Sequence, residues 1–295
     1  MLSNNVYQED HVPTQQERFW NSYRSNSIGM FGLWCLLILV LVTILAPWIA
    51  PYDAQWKSGI LLQPPSWSNE GTIEYFLGTD DLGRDILSRL IAGSRLTFGY
   101  AIIVALLSAV IGCVIGVFAG MTKGLLSSVL NHLLDTIMSI PSMLLAIIFV
   151  AFLGAGEFNI LLAIWFSLIP RFIRSVYTAV HNEVEKDYII AARLDGENNF
   201  YLLWYSILPN IMSVIVAEMT LAISVAILDI TAMGFLGLGA QAPSPEWGAL
   251  LGDSVELIYI APWTVTLPGL FITFTVIVVN LVGDGFRHAI EAGTE

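Results

Sequence analysis

The feature that most limits the fold of this chain is a series of long stretches without charged residues. The first, from Ser25 to Tyr52, contains no Asp, Glu, Lys or Arg, and Pro47 and Pro51 lie at its end. A helix of about 20 apolar residues spans the hydrocarbon core of a bilayer. Helices also satisfy their own backbone hydrogen bonds in lipid. The sequence therefore predicts an all-α membrane protein whose first spanning helix lies in this stretch.

Further apolar stretches follow, and together they predict six transmembrane helices. The predicted spans cover approximately residues 28–49, 97–121, 133–153, 158–176, 210–237 and 264–282. Gly112, Gly116 and Gly120 recur every fourth residue in the second span, a spacing that lets a neighbouring helix pack closely. We expect residues 1–27 to form an N-terminal segment and residues 28–295 a single transmembrane domain.

Composition excludes several functional classes. Of the 295 residues, 56% are hydrophobic and 12% are charged, and the formal net charge of −12 argues against nucleic-acid binding. Cys35 and Cys113 lie in separate apolar runs, so neither a disulfide framework nor a metal site is predicted. The sequence contains no P-loop motif, so we do not expect this chain to hydrolyse ATP. No catalytic arrangement of Ser, Cys, His and Asp is supported either.

The distribution of Lys and Arg predicts the orientation in the membrane. Six spans put both termini on one side, and cytoplasmic termini put eight of the 12 Lys and Arg residues on that side. Short loops that face the cytoplasm are rich in Lys and Arg. The same orientation makes the loop of about residues 181–209 cytoplasmic. The eight residues are Arg18, Arg24, Lys123, Arg171, Arg174, Lys186, Arg193 and Arg287.

The loop of residues 181–209 is a polar segment in an otherwise apolar chain. In a helix, Ala192 and Gly196 would share one face and leave a shallow depression for the surface of another protein. Pro209, which follows Leu208, is predicted to end one element and begin the next. The residues alone are also compatible with an ordinary cytoplasmic loop.

Two glycine-containing segments have structural interpretations. Residues 77–85, Leu-Gly-Thr-Asp-Asp-Leu-Gly-Arg-Asp, predict a glycine-hinged turn in which Asp85 or a neighbour caps the following helix. Gly234, Gly237 and Gly239 predict the end of span five and close packing rather than a phosphate site, because no strand precedes them.

Glu218 and Asp229 are acidic residues inside the predicted span five. They are separated by about three helical turns and so lie on roughly the same face. Ionisable groups at membrane depth are costly and usually face a cavity or a partner. One interpretation is a translocation path that attracts cations. The other is an ion pair or hydrogen bond with a neighbouring helix, and the residues alone leave both open.

Two motifs carry a resemblance to a known family. Asp-Tyr-Ile-Ile-Ala-Ala-Arg at residues 187–193, with Gly196 and then Leu-Pro-Asn at 208–210, resembles the EAA loop of ABC-transporter permeases, with Ile190 at the position of the family's Glu. Residues 77–85 are similar to a segment of the dipeptide, oligopeptide and nickel branch. The resemblance implies a MetI-like permease fold and a loop that couples to a cytoplasmic ATPase. The implied coupling residues are Lys186, Asp187, Tyr188, Ala191, Ala192, Arg193, Gly196, Leu208 and Pro209.

Within that branch the chain is similar to the C-type permeases of Sap transporters, for example in Ala-Ile-Leu-Asp-Ile at residues 226–230. Ordinary peptide permeases tend to have an acidic residue at the position of Ile230, whereas this chain has Asp229. The resemblance implies import of peptides, including cationic antimicrobial peptides, across the bacterial inner membrane. It also implies four kinds of partner: a SapB-like second permease, SapD-like and SapF-like ATPases, and a SapA-like periplasmic binding protein.

No cofactor is expected on the chain itself, because the resemblance implies that ATP binds to the partner ATPases. Two alternative functions remain open. The same complex could export a polyamine such as putrescine, or the chain could be a stand-alone secondary transporter that uses Glu218 and Asp229 as ion carriers.

Overall fold

The computed structural model describes residues 14–122 and 125–294, and every regular element among these residues is a helix. Residues 1–13 of the predicted N-terminal segment, Lys123, Gly124 and Glu295 lie outside the described residues. The helices are α1 (Gln15–Ser25), α2 (Ser27–Ile49), α3 (Ile86–Ser94), α4 (Tyr100–Met121), α5 (Leu125–Met138), α6 (Ser142–Leu153), α7 (Glu157–Val184), α8 (Asp187–Leu194), α9 (Asn199–Leu202), α10 (Leu208–Phe235), α11 (Trp247–Ser254) and α12 (Trp263–Thr294).

Among the described residues, five helical segments are long and apolar enough to span a membrane, and there are six if one bent pair counts as a span. Two π-helical turns, Arg95–Gly99 and Leu203–Ile207, join α3 to α4 and α9 to α10, so each pair forms one long helix. The five segments are Ser27–Ile49, Ile86–Met121, Glu157–Val184, Asn199–Phe235 and Trp263–Ala292.

The predicted third span, residues 133–153, is not one continuous helix. It is divided between α5 and α6, which meet at 85°. Pro141 lies immediately before α6. Proline has no N–H to continue the hydrogen bonding of the preceding helix, and its ring clashes with the preceding turn. The predicted third span is therefore a bent pair of helices, and the proline accounts for the break.

The helices that contain four other predicted spans are longer than predicted. They reach Ile86, Val184, Asn199 and Thr294 in place of residues 97, 176, 210 and 282. Three of these predicted ends lie two residues from a charged side chain and the fourth follows Pro209, but a helix continues beyond the apolar region as long as its terminal groups find partners. Asp85 is such a partner, because its side chain accepts a hydrogen bond from Ser88 N at 2.8 Å, as predicted for this cap.

The predicted close approach at the glycines of the second span occurs between α4 and α7. A Cβ atom at Gly112 would lie 2.2 Å from Phe172 Cβ, and one at Gly116 would lie 2.9 Å from the Ile173 carbonyl oxygen. Any larger residue at these positions would force the two helices apart. The four-residue glycine spacing therefore sets the distance between α4 and α7, as predicted.

The turn before α3 is the predicted glycine-hinged turn. Gly78 and Gly83 have φ angles of +85° and +74°, a region that glycine adopts without steric cost. Asp80 lies at the centre of the turn and forms buried ion pairs with Arg84 Nε and Arg89 Nη1, each at 2.6 Å. The segment is thus a structural element that holds the start of α3 in place.

The acidic loop between α10 and α12 folds back onto the bundle. Glu246 is buried and caps α11, because its carboxylate accepts hydrogen bonds from Gly248 N and Ala249 N, both at 2.8 Å. It also accepts a hydrogen bond from Thr97 Oγ1 at 2.9 Å. A Cβ atom at Gly234 would lie 2.0 Å from the same carboxylate, so the predicted close packing at this glycine is present.

Candidate functional site

The loop predicted to couple to an ATPase, residues 181–209, contains the end of α7, the short helix α8 and the start of the long helix from Asn199; we call it the coupling segment. One side chain of α8, Ile189, is fully buried. It belongs to an apolar cluster with Val184, Ile207 and Ile211 from the flanking helices. The other residues of α8 are exposed or half-buried, so this helix presents most of its surface outward.

A polar network fixes the base of the coupling segment. Glu183, near the end of α7, is buried, pairs with Lys186 Nζ at 2.8 Å and accepts a hydrogen bond from the Tyr188 hydroxyl group. Asn210 Nδ2 donates to the Tyr188 hydroxyl at 2.9 Å and to the Ser206 carbonyl oxygen at 2.6 Å. These contacts connect α7, α8 and α10.

The environment of Tyr188 keeps its hydroxyl group protonated. Loss of solvent, followed by the hydrogen bond to Glu183 and the charge of Glu183, raises the pKa of Tyr188 to about 12. Tyr188 therefore remains a donor to Glu183 at neutral pH. Because the pKa is raised above its ordinary value of 10.0, the contribution to stability is full below about pH 10 and is lost as the pH rises through about 12.

Gly196 does not lie on α8, so the predicted shared face of Ala192 and Gly196 is wrong. The helix ends at Leu194, and Gly196 has a φ angle of +93°. Gly196 N donates to the Arg193 carbonyl oxygen and Glu197 N to the Ala192 carbonyl oxygen, both at 3.2 Å. These are the two hydrogen bonds of a Schellman motif, in which glycine ends the helix. Gly196 therefore sets the length of α8.

Pro209 does not separate two elements, contrary to the prediction, because one helix runs from Asn199 to Phe235 through it. The π-helical turn Leu203–Ile207 ends directly before Leu208 and Pro209. Proline lacks the N–H that would bond to the carbonyl group four residues earlier. The wider hydrogen-bond register of the π turn accommodates this gap, so the helix continues without a break.

Three other predicted coupling residues lie on the outer surface of the segment, whereas Ala192 and Leu208 are half-buried. Asp187, Ala191 and Arg193 are exposed on α8. Leu194, which was not predicted as a site residue, is the most accessible apolar residue of this helix at 83% exposure. An exposed apolar side chain between polar neighbours is suited to a protein contact.

Four aromatic residues that were not predicted extend this surface. Phe200 contacts Trp204, with ring centroids 6.1 Å apart, and Tyr201 contacts Tyr205 at 4.7 Å. All four side chains are exposed. Each pair is spaced by four residues, so its members share a helical face. This spacing could have indicated the aromatic surface from the sequence.

Glu218 is neutralised within the chain. Its Oε1 atom lies 2.7 Å from Arg171 Nε, and its Oε2 atom accepts a hydrogen bond from Ser175 Oγ at 2.8 Å. Arg171 and Ser175 both belong to α7. The geometry thus supports the ion-pair interpretation of Glu218.

Asp229 has a different environment. It is 7% exposed, and its Oδ2 atom has no hydrogen-bond partner among the described residues. Ser142, at the start of α6, forms a side-chain hydrogen bond to the carboxylate. Asp229 lines an open cleft of about 540 Å³ between α6, α10, α11 and α12. This position fits the interpretation of Asp229 as part of a translocation path.

The structure does not bring the coupling segment and Asp229 together. Asp229 lies near the far end of α10, about 30 Å along the helix axis from Leu208, at 1.5 Å per residue. The Glu218–Arg171 pair lies between them. Among the described residues, no group of three or more His, Cys, Asp and Glu side chains could hold a metal ion.

Two family models match the sequence. Residues 112–295 match the family described as "Binding-protein-dependent transport system inner membrane component". Residues 14–65 match the family described as "N-terminal TM domain of oligopeptide transport permease C". The second match covers α1 and α2, and the first begins within α4.

Full-length relatives are described as permeases. The chain is 55% identical over 297 residues to the peptide transport system permease protein SapC of Salmonella typhimurium, and the match covers 100% of both chains. It is 44% identical over 279 residues to the dipeptide transport system permease protein DppC of Escherichia coli K12, which covers 94% of this chain and 93% of that protein.

A solved structure has the same fold. An inward-facing conformation of the MetNI methionine ABC transporter aligns with a TM-score of 0.57 at 18% identity, and covers 68% of this chain and 96% of that chain. At this identity the likeness concerns the fold alone, and it agrees with the predicted MetI-like permease fold.

Proposed function

Because this chain belongs to the family of inner membrane components of binding-protein-dependent transport systems, we propose that it is one of two permease subunits of a bacterial ATP-binding-cassette importer of peptides. The peptide substrate is inferred from the full-length likeness to SapC and DppC permeases. We propose that cationic peptides, including antimicrobial ones, are among the substrates. The chain is a transport component rather than an enzyme.

The proposed complex lies in the bacterial inner membrane and has four kinds of partner. A SapB-like permease completes the path, SapD-like and SapF-like subunits bind and hydrolyse ATP, and a SapA-like periplasmic protein delivers the substrate. This proposal agrees with the absence of a P-loop motif from the sequence.

In the proposed topology the bent pair α5–α6 counts as one of six spans. Both termini, the segment 1–27 and the coupling segment then face the cytoplasm, and residues 28–295 form one transmembrane domain. The excess of Lys and Arg on that side supports this orientation.

The coupling role is supported by the contacts that attach α8 to the two long helices α7 and α10. Ile189 is inserted between α7 and α10, and the Glu183–Tyr188–Asn210 network connects the same helices. A push or pull on the exposed face of α8 by an ATPase would therefore reach both long helices. Such a displacement would change the opening of the path between the two permeases.

Two alternatives have less support. None of the relatives described above has a name that refers to polyamines, so export of putrescine is not favoured. A stand-alone secondary transporter is disfavoured by the family, whose members are components of binding-protein-dependent systems.

The proposal is tested by assembly and transport. We expect the chain, co-expressed with its three membrane-associated partners, to co-purify with both ATPases and, with the binding protein, to take up peptide into proteoliposomes only when ATP is enclosed. The variant Leu194→Asp should lose the ATPases but keep the second permease, because a charge replaces the exposed apolar side chain of α8.

The matched control is Ile73→Asp, which alters an equally accessible apolar residue (88% exposed) far from α8. It should retain both ATPases. Retention of the ATPases by Leu194→Asp would remove α8 from the interface, and uptake without ATP would overturn the proposed function itself.

A further inference from the structure

The carboxylate of Asp229 is buried and has no cationic partner among the described residues. The residue is 7% exposed. Its Oδ2 atom has no hydrogen-bond partner among the described residues, and Ser142 supplies the one side-chain hydrogen bond to the group. A buried carboxylate without a cation is costly, so this arrangement points to a group that is absent from the chain itself.

The surroundings of Asp229 restrict the chemistry of that group. None of the described residues that line the cleft is Lys, Arg or His. Thr231, the other polar side chain in the lining, donates its hydroxyl hydrogen bond to the carbonyl groups of Ile227 and Leu228 on its own helix. The remaining wall is apolar and includes Met143. The cleft therefore offers one anionic acceptor in an apolar setting, which suits a cation with an aliphatic stem.

Glu218 on the same helix provides the contrast. It is nearly as buried as Asp229, but Arg171 lies 2.7 Å from it. The charge of Glu218 is thus compensated by a cation of the neighbouring helix. Asp229 has no such cation among the described residues, although α6, α11 and α12 all contribute to its surroundings.

The size and openness of the cleft favour a transient occupant. Its volume of about 540 Å³ falls within the range of small-molecule sites, about 300–1,000 Å³. A single basic side chain from a neighbouring subunit would leave much of this volume unfilled. The mouth is bordered by the exposed residues Leu228, Phe235 and Leu236, and the nearby loop carries Asp253 and Glu256 without Lys or Arg.

We infer that this cleft is a subsite that binds the ammonium or guanidinium group of a Lys or Arg side chain of the transported peptide. Asp229 accepts the cation, Ser142 positions the carboxylate, and the apolar wall contacts the methylene groups of the side chain. This inference rests on the proposed function as a peptide permease. It assigns the recognition of cationic side chains to one residue, Asp229.

The test compares two peptides in proteoliposomes that contain the whole transport complex. One is the tripeptide Ala-Lys-Ala, and the other carries Nε-acetyl-lysine in place of lysine, so the peptides differ in the side-chain charge. In Asp229→Asn, uptake of the lysine peptide per assembled complex should fall about tenfold, the scale of one charge-assisted hydrogen bond. Uptake of the acetylated peptide should change by less than about twofold. Asp229→Glu should restore much of the preference.

Two further variants separate this site from general effects. Ser142→Ala should reduce the ratio of lysine to acetyl-lysine uptake by a smaller factor, with both peptides still transported. Glu256→Gln removes an exposed acid of the adjacent loop and should leave the ratio unchanged. A fall of the ratio in Glu256→Gln equal to that in Asp229→Asn would replace the subsite by a general attraction of cations to the acidic surface, and would overturn the inference.

Other outcomes also decide against it. Equal loss of both peptides in Asp229→Asn, or an unchanged ratio, would show that the acid does not select the charge of the peptide side chain. Loss of the second permease from Asp229→Asn, with retention in Asp229→Glu, would assign the charge to a subunit contact instead. Absence of ATP-dependent uptake in the unaltered complex would count against the proposed function, so the two failures are distinguishable.

Discussion

The buried acids Glu183 and Glu218 illustrate how single residues hold the long helices of this protein together. Glu183 contacts Lys186 and Tyr188, and Glu218 contacts Arg171. Removal of one partner leaves the other group desolvated and unpaired, which costs more than the intact contact contributes. Substitutions at these positions should therefore lower the free energy of unfolding more than they change substrate preference.

Tyr188→Phe tests whether the network at the base of α8 transmits force. The variant keeps the ring but removes the donor to Glu183 and the acceptor for Asn210. We expect a loss of about 1–3 kcal/mol in the free energy of unfolding and a larger fall in ATP-driven uptake than in co-purification of the ATPases. Tyr259→Phe makes the same chemical change at a fully accessible position outside the coupling segment. Equal behaviour of the two variants would exclude a role for the network.

A second prediction concerns Glu218 and Arg171. Glu218→Gln should destabilise the purified protein by about 1–3 kcal/mol, because it leaves Arg171 without its carboxylate; the partial exposure of Arg171 keeps the cost below that of a fully buried pair. The double variant Glu218→Gln, Arg171→Gln should recover part of that loss. A double-mutant cycle of thermal unfolding gives the coupling energy. If uptake per assembled complex falls in the stable double variant, Glu218 belongs to the path after all.

At the scale of elements, the end of α8 depends on one backbone conformation. Gly196 has a φ angle of +93°, and no atom lies within 4 Å of a Cβ built there. Gly196→Ala should therefore cost about 1–2 kcal/mol through backbone strain and not through a clash. We expect faster hydrogen exchange in α8 and fewer bound ATPases.

Gly237 offers the control for this prediction, because its φ angle is +70° and a Cβ atom there also meets nothing within 4 Å. Gly237→Ala imposes similar strain after α10, at the end of that helix far from α8. It should leave exchange in α8 and co-purification of the ATPases unchanged. If both variants lose the ATPases equally, general destabilisation explains the effect and the role of the α8 terminus is rejected.

The existence of the long helices could be predicted from the sequence, because apolar length alone decides whether a segment can span a bilayer. Their ends could not. The π turn Leu203–Ile207 carries the helix past Pro209, and the 85° bend at Pro141 divides the predicted third span. Both prolines look alike in sequence. What distinguishes them in the structure is the π turn before Pro209, which a hydrophobicity pattern does not reveal.

The site was predictable to a similar degree. The EAA-like motif located α8, and the cost of buried charge drew attention to Glu218 and Asp229. The sequence did not reveal that Arg171, which is far away in the chain, neutralises only the first of them. Nor did it show that Gly196 ends α8. Glycine is suited both to a Schellman motif and to a close contact on a helical face, so the residue type alone does not distinguish them.

At the scale of the whole molecule, the bent pair α5–α6 decides the topology. If it crosses the membrane as one unit, there are six crossings. If it enters and leaves on the same side, there are five. The two cases make different predictions for three exposed positions: Asn69 before the second spanning segment, Glu197 in the coupling segment and Tyr259 before the last span. Six crossings put Asn69 and Tyr259 on one side and Glu197 on the other. Five crossings put Asn69 and Glu197 together and Tyr259 opposite.

Single cysteines at these three positions, in a background with Cys35 and Cys113 replaced by alanine, distinguish the cases with a membrane-impermeant thiol reagent. In intact spheroplasts we expect Asn69→Cys and Tyr259→Cys to react and Glu197→Cys to react only after permeabilisation. Tyr259 is 97% exposed, so poor access would not explain a missing signal there. Labelling of Asn69→Cys and Glu197→Cys without Tyr259→Cys would make α5–α6 a re-entrant pair and place α8 outside the cell. Labelling of Glu197→Cys alone would invert the six-span topology. In either case a cytoplasmic ATPase could not reach α8, and the proposed coupling mechanism would be wrong.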